Sequence, residues 1–205
     1  MDKPRRSKRL GERMKSFFIF VLLFVAIGTS AEFHVDKDQD NRVQFFSDAP
    51  VEKIVGTTSE IDGYVVWEGD DYTANSEFYF EVDLTSIDTG IGLRNRHMRD
   101  NYLETDKYPF ASYKGKIVKA TDNRDDTFTF TALGTFVLHG VERKVEIDGK
   151  ISKTENGYKA ESQFEIKLED YNIERPQFML LKIGEVIQLD IRFHAQEFKE
   201  IGSDS

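Results

Sequence analysis

The chain has 205 residues and no cysteine, with 28 Lys+Arg, 37 Asp+Glu and a formal charge of −9. Without cysteine there are no disulfides, thiolate metal sites, Cys nucleophile or acylated lipoprotein cysteine, and 39% hydrophobic and 13% aromatic residues describe a folded globule, not a disordered chain. Residues 1–31 hold seven bases and two acids, which leaves 21 bases against 35 acids and a net −14 over residues 32–205; such a body is repelled by phosphate backbones and anionic lipid surfaces, so no nucleic-acid partner is expected.

In chain order, residues 1–15 are basic, residues 17–27 (FFIFVLLFVAI) form an apolar run of 11, and Thr29, Ser30 and Ala31 offer small side chains for cleavage after Ala31. This predicts a secretory signal peptide over residues 1–31. The uncharged stretch 16–31 spans 16 residues, short of the ~20 that a membrane-crossing helix needs. Translation from Met14 would leave a minimal basic region and the same conclusion. Export without cysteine fits the periplasm of a Gram-negative cell or the outside face of another bacterium. The mature protein is then one domain over residues 32–198 and an acidic flexible tail over 199–205.

From residue 33 onward, apolar and polar side chains alternate with period two, the mark of strands with one buried face. Phe78, Phe80 and Val82 share one parity; so do Val145, Ile147 and Ile151; so do Phe164 and Ile166; and so do Ile187, Leu189, Ile191, Phe193 and Ala195. Further strands are predicted at 33–37, 42–47, 54–67 (one long strand bent near Gly56 or Gly63), 113–119 and 128–138. Turn residues separate them, at 38–41, 68–71, 122–126, 139–140 and 155–157. About eight strands at hairpin spacing argue an all-β antiparallel sandwich or barrel. Two stretches break the pattern. Residues 87–103 predict a short helix or ordered loop with Asp88 or Thr89 as cap, and residues 175–184 form an irregular segment too apolar for an exposed loop; both are expected to cover a barrel end. A closed sheet of this size is filled by side chains or holds one small ligand, and periodicity alone leaves both open.

Residues 83–116, DLTSIDTGIGLRNRHMRDNYLETDKYPFASYKGK, resemble the signature of the YceI-like family: a strand ending in Ser-Ile-Asp-Thr-Gly, an Arg-x-x-His-Met-Arg helix, then Tyr-Pro and an aromatic strand. Residues 49–52 with Gly56, the GTFVLHGV segment at 134–141 and the closing strand 186–195 extend the resemblance over residues 33–196. Glu142-Arg143 and Tyr171-Asn172-Ile173 depart from the family pattern. The resemblance implies a lipocalin-like antiparallel β-barrel of about eight strands, exported to the periplasm, whose interior binds a long apolar lipid such as a polyisoprenoid or isoprenoid quinone, or in some members a fatty-acid derivative. The expected ligand is this lipid, with no cofactor and no metal. Transient contact with a membrane or membrane protein would follow from carriage.

On this reading the chain of the lipid lies along Phe78, Phe80, Val82, Phe128, Phe130, Phe164, Ile166, Leu189, Ile191 and Phe193, and Leu93, Arg94, His97, Met98, Phe178 and Leu180 cover the mouth. His97 would hydrogen-bond a headgroup, or fix its helix to the barrel through a backbone carbonyl. Arg94, Arg96 and Arg99 would grip a phosphate, or pair with Asp83, Asp88, Asp100, Glu104 or Asp106. His139, in a turn, and His194, facing outward, are expected to be structural. No Gly-x-Ser-x-Gly elbow, phosphate loop or His-x-x-x-His ligand pair occurs, so no enzyme is expected; the alternatives are a filled barrel acting through its surface, or an enzyme on a lipid-like substrate with His97 as its one candidate group.

Overall fold

The computed structural model describes residues 30–48, 53–175, 177–178, 181–182 and 184–198. Strands are β1 (Ser30–Val35), β2 (Arg42–Ser47), β3 (Ile54–Thr58), β4 (Ile61–Glu68), β5 (Glu77–Asp83), β6 (Phe110–Asp122), β7 (Thr127–Leu138), β8 (Val141–Thr154), β9 (Gly157–Lys167), β10 (Gln177–Phe178), β11 (Leu181–Lys182) and β12 (Val186–Glu197). All pairings are antiparallel, in the order β1-β4-β5-β6-β7-β8-β9-β12-β2-β3, and a β1–β12 pairing closes the ring. β12 lies along β9 on one edge; on the other it meets β2 through Ile187–Arg192 and β1 through Ala195–Glu197. β1 and β2 therefore share one place in the ring, as do β3 and β4, and an eight-strand barrel results. Closure pairs the strands around the ring, apart from the outer edge of β3, where Thr57 bridges to Asp88, and puts one parity of every strand inside.

The long strand expected over 54–67 is instead two. It breaks at Ser59 and Glu60, where the Thr58 Oγ1 accepts from the Glu60 amide and meets Ser86 Oγ at 2.6 Å. The break lets β3 follow β2 at one end of the barrel while β4 follows β1 at the other.

The two ends differ. Around the turns at 69–76, 123–126 and 155–156, here termed the lower end, inward rings pack solidly: Phe33 stacks on Trp67 with centroids 4.9 Å apart, Trp67 meets Tyr72 and Tyr158 edge-on, and Tyr72 stacks on Phe128 at 3.9 Å. These rings form a plug. At the upper end the chain between β5 and β6 crosses the opening as a 3-10 turn (Leu84–Ser86), the short helix α1 (Gly92–His97) and a wider turn (Met98–Leu103) ending at Glu104 in the left-handed conformation. Leu84, Ile87, Leu138, Leu168, Tyr171 and Ile173 pack beneath it.

The capping expectation is reversed. α1 begins at Ile91 without a side-chain cap, and Asn95 inside the helix reaches back: its Oδ1 accepts from the Thr89 amide and hydroxyl at 2.9 and 2.6 Å, and its Nδ2 donates to Asp88 at 2.7 Å. The Asp88 carboxylate also accepts from the Gly90 amide at 2.8 Å, and its backbone is tied to Thr57 of β3. A second tie holds the covering segment from the other side. His139, at φ 52° in the β7–β8 turn, places Nδ1 3.1 Å from the Tyr171 carbonyl and Nε2 3.1 Å from Glu104. Lys107 and, less strongly, His139 hold the Glu104 carboxyl below the usual range. The expected second cover, residues 175–184, contains the paired strands β10 and β11; Leu180 lies outside the described residues, as do residues 1–29 of the leader expected over 1–31 and the tail over 199–205.

Candidate apolar tunnel

Between the plug and the upper cover lies a cavity of about 800 Å³, toward the large end of the ~300–1,000 Å³ range of ligand pockets. Its lining is almost wholly apolar. That it is a space rather than a packed core shows in the burial of the inward residues: Phe80, Val82, Phe130, Phe164, Leu189 and Ile191 face the axis yet remain only half-buried, because the surface they keep is turned to the lumen. A filled barrel would have buried them as completely as Phe78, Ile166 and Phe193, which line the same cavity from its more crowded parts.

Nine of the ten residues expected along the chain thus meet in one lumen. Phe128 does not. It is 2% exposed and stacked on Tyr72 in the plug, outside the lining. Its parity was read correctly, but parity does not tell how far along the barrel axis a residue lies. At the upper end Leu93, Arg94, His97 and Met98 border the cavity; Phe178 is in β10, and its side chain is outside the described set. Ile91, 49% exposed, and Leu93, 60% exposed, form an apolar lip beside His97. Arg94 donates to the Thr89 hydroxyl and carbonyl at 2.9 and 2.7 Å, and Arg99 to the Thr85 carbonyl at 3.4 Å.

Several lining residues escaped the sequence reading. Val43, Phe45 and Ser47 of β2, Trp67 of β4, Tyr113 of β6 and Tyr158 of β9 all border the lumen. Alternation within 42–47 was available as the signal, but a strand of six residues does not reveal which face is inward. Two of these carry phenols held in buried surroundings. Tyr113 donates its hydroxyl to the Ala132 and Val145 carbonyls, and burial, with the Glu146 charge adding to it, drives its pKa far above the phenol range. Burial pushes the Tyr158 phenol up to about 12. With the Tyr113 hydroxyl committed to backbone carbonyls and the rest of the lining almost wholly apolar, the lumen suits an uncharged apolar chain. Among the described residues no group of three or more His, Asp or Glu is placed to hold a metal ion.

Solved structures with this architecture come from several bacteria. Burkholderia cenocepacia BcnA aligns with TM-score 0.64 at 14% identity, covering 79% of this chain and 99% of that one. A polyisoprenoid binding domain from Saccharophagus degradans, implicated in plant cell wall breakdown, aligns with TM-score 0.63 at 16% identity over 83% of this chain and 100% of its own. The Campylobacter jejuni YCEI protein gives TM-score 0.55 at 18% identity over 73% and 88%. No curated protein sequence matches. At these identities the structures speak for the fold. The model of the YceI-like domain, however, matches residues 33–195, so that barrel, plug, cover and tunnel all fall within it, and the chain belongs to the YceI-like domain family.

Proposed function

We propose that this protein is an exported carrier that holds one long apolar lipid, a polyisoprenoid or an isoprenoid quinone, inside its barrel. The carrying observation is the enclosed lumen whose rings and branched side chains keep their surface turned inward. Left empty, such a lining forgoes dispersion contacts, and water entering it finds few polar partners. An apolar chain satisfies both, at about 25 cal/mol per Å² of surface removed from water. The Saccharophagus domain, named for polyisoprenoid binding, shares the barrel. Arg94 and His97 border the cavity at its upper end, which supports reading them as neighbours of a polar headgroup, and the tunnel is read as a binding site rather than a catalytic one. The leader expected over residues 1–31 would deliver the protein to the periplasm. Cleavage after Ala31 takes two residues from β1, Ser30 and Ala31, and leaves Glu32, Phe33 and His34 paired to β4.

Native mass spectrometry of the protein exported from its own leader, purified without detergent, tests both parts. The expected species lacks residues 1–31 and carries one isoprenoid, identified after organic extraction. An acyl compound would keep the tunnel and change the ligand; an apo mass with no uptake of added polyprenol or quinone would overturn the carrier reading, and retention of the leader would overturn the export reading.

The lip gives a second expectation. Leu93→Asp, alone or with Ile91→Asp, leaves the melting temperature unchanged, since both side chains are exposed, and slows loading of a fluorescent polyprenol from vesicles by about tenfold, a barrier increase of ~1.4 kcal/mol. Unchanged loading rates would show that the chain enters elsewhere.

A further inference from the structure

An eight-stranded barrel lined with phenylalanine has an interior that side chains alone can fill, yet this one is open, and the rings show why. Phe45 of β2 lies directly opposite Gly56 of β3, Phe80 of β5 opposite Gly63 of β4, and Phe130 of β7 opposite Gly149 of β8. At Gly56 the ring occupies the place where a Cβ would be, and a methyl group there would overlap three atoms of Phe45; at Gly149 it would overlap two atoms of the Phe130 ring and the Glu161 carbonyl, and at Gly63 the Tyr79 carbonyl first and then the backbone and ring of Phe80. All three rings border the cavity and are half-buried, one side against a glycine and the other toward the lumen. A glycine inside a strand weakens it and marks close approach by another group; here the group is an inward ring on the neighbouring strand, and the arrangement recurs in three separate hairpins.

We infer that these three cross-strand glycine–aromatic pairs set the bore of the tunnel and so the thickness of the chain it accepts, by laying rings flat on the wall that would otherwise project toward the axis. The inference rests on reading the cavity as a lipid tunnel, and it adds the residues that determine which chains fit. Gly56 is the clean place to test it. The three atoms nearest the Cβ of Gly56→Ala all belong to the Phe45 ring, whereas Gly63 has φ +139° and faces the Tyr79 carbonyl, and Gly149 faces the Glu161 carbonyl. The displaced ring has the lumen to move into.

The experiment compares the parent protein, Gly56→Ala and Phe45→Ala/Gly56→Ala, titrated with an all-trans polyprenol and with a straight-chain fatty alcohol of equal length, read by the fluorescence of Trp67, the single tryptophan, which borders the cavity. Gly56→Ala is expected to weaken polyprenol binding by about tenfold and the slimmer alcohol by less, and removal of the ring in the double variant is expected to restore polyprenol binding. An unchanged affinity in Gly56→Ala, or a loss that the double variant does not recover, overturns the inference. If Gly56→Ala fails to fold, recovery of folding in the double variant supports ring overlap as the cause, and continued failure to fold refutes it. A parent protein that binds neither compound would instead refute the tunnel reading; the crystal structure of Gly56→Ala then decides the bore alone, by a Phe45 ring moved into the lumen or left in place.

Discussion

Ile191→Asp is expected to abolish polyprenol uptake and to lower stability by about 3–5 kcal/mol, the cost of an unpaired charge placed among apolar groups. Ile191 sits between Val43 of β2 and Ser162 of β9 with its side chain toward the lumen. Val43 supplies no donor, and the Ser162 hydroxyl already donates to the Asp148 carbonyl. Phe80→Asp is expected to behave alike. The neighbouring Glu81→Asp, on the outer face where Glu81 accepts from Tyr79, changes neither quantity. The sign of the pH response follows. Desolvation raises the pKa of the new carboxyl in the folded state above its unfolded value near 4, so the charge's share of the penalty is full above the folded pKa, shrinks as pH falls through it and is gone below the unfolded value, leaving the pH-independent loss of packing. Urea denaturation at several pH values, with chain uptake measured alongside, checks this. Equal tolerance of Asp at 191, 80 and 81 would mean that the inward parity is misassigned.

Phe128→Ala and Phe164→Ala should separate the plug from the tunnel. Phe128 is closely packed on all sides, so its truncation leaves a cavity in a tight aromatic cluster and costs about 3–5 kcal/mol in stability, with a modest effect on chain affinity. Phe164 contacts Phe136 edge-on at 5.9 Å but keeps part of its surface toward the lumen. Its truncation removes less native packing, costing roughly 1–2 kcal/mol, and reduces affinity for a long chain by about tenfold, because its remaining surface is what the ligand covers. Urea midpoints and Trp67 fluorescence titrations give both quantities for each variant. If Phe128→Ala were mild in stability and severe in affinity, the lower end would be part of the tunnel and the plug would not exist.

Much of the architecture was legible along the chain. Alternation in 78–82 and 187–195 marked strands and their inner faces, since side chains on a strand point alternately to its two sides whatever the strand pairs with. The Arg-x-x-His-Met-Arg segment was readable as a short helix beside the opening, and the structure puts Arg94, His97 and Met98 there. Other features were hidden because they depend on neighbours distant in sequence. The division of 54–67 into β3 and β4 follows from β12 offering one edge to two partners. The role of Asn95 in holding Asp88 and Thr89 follows from the tie of Asp88 to β3.

The sequence by itself determined most of the strands, the parity of the longer ones, the family and the apolar character of whatever the barrel encloses, because each of these depends on local order and composition. Only the tertiary structure decided that the barrel is open in the middle and closed below. Phe45, Phe80, Phe128 and Phe130 are all inward by parity, yet three lie against glycines on adjacent strands and border a lumen while Phe128 is stacked into a plug. The difference lies in what stands across the strand gap and how far along the axis each ring sits, and both are set by the register of pairing between segments remote in the chain.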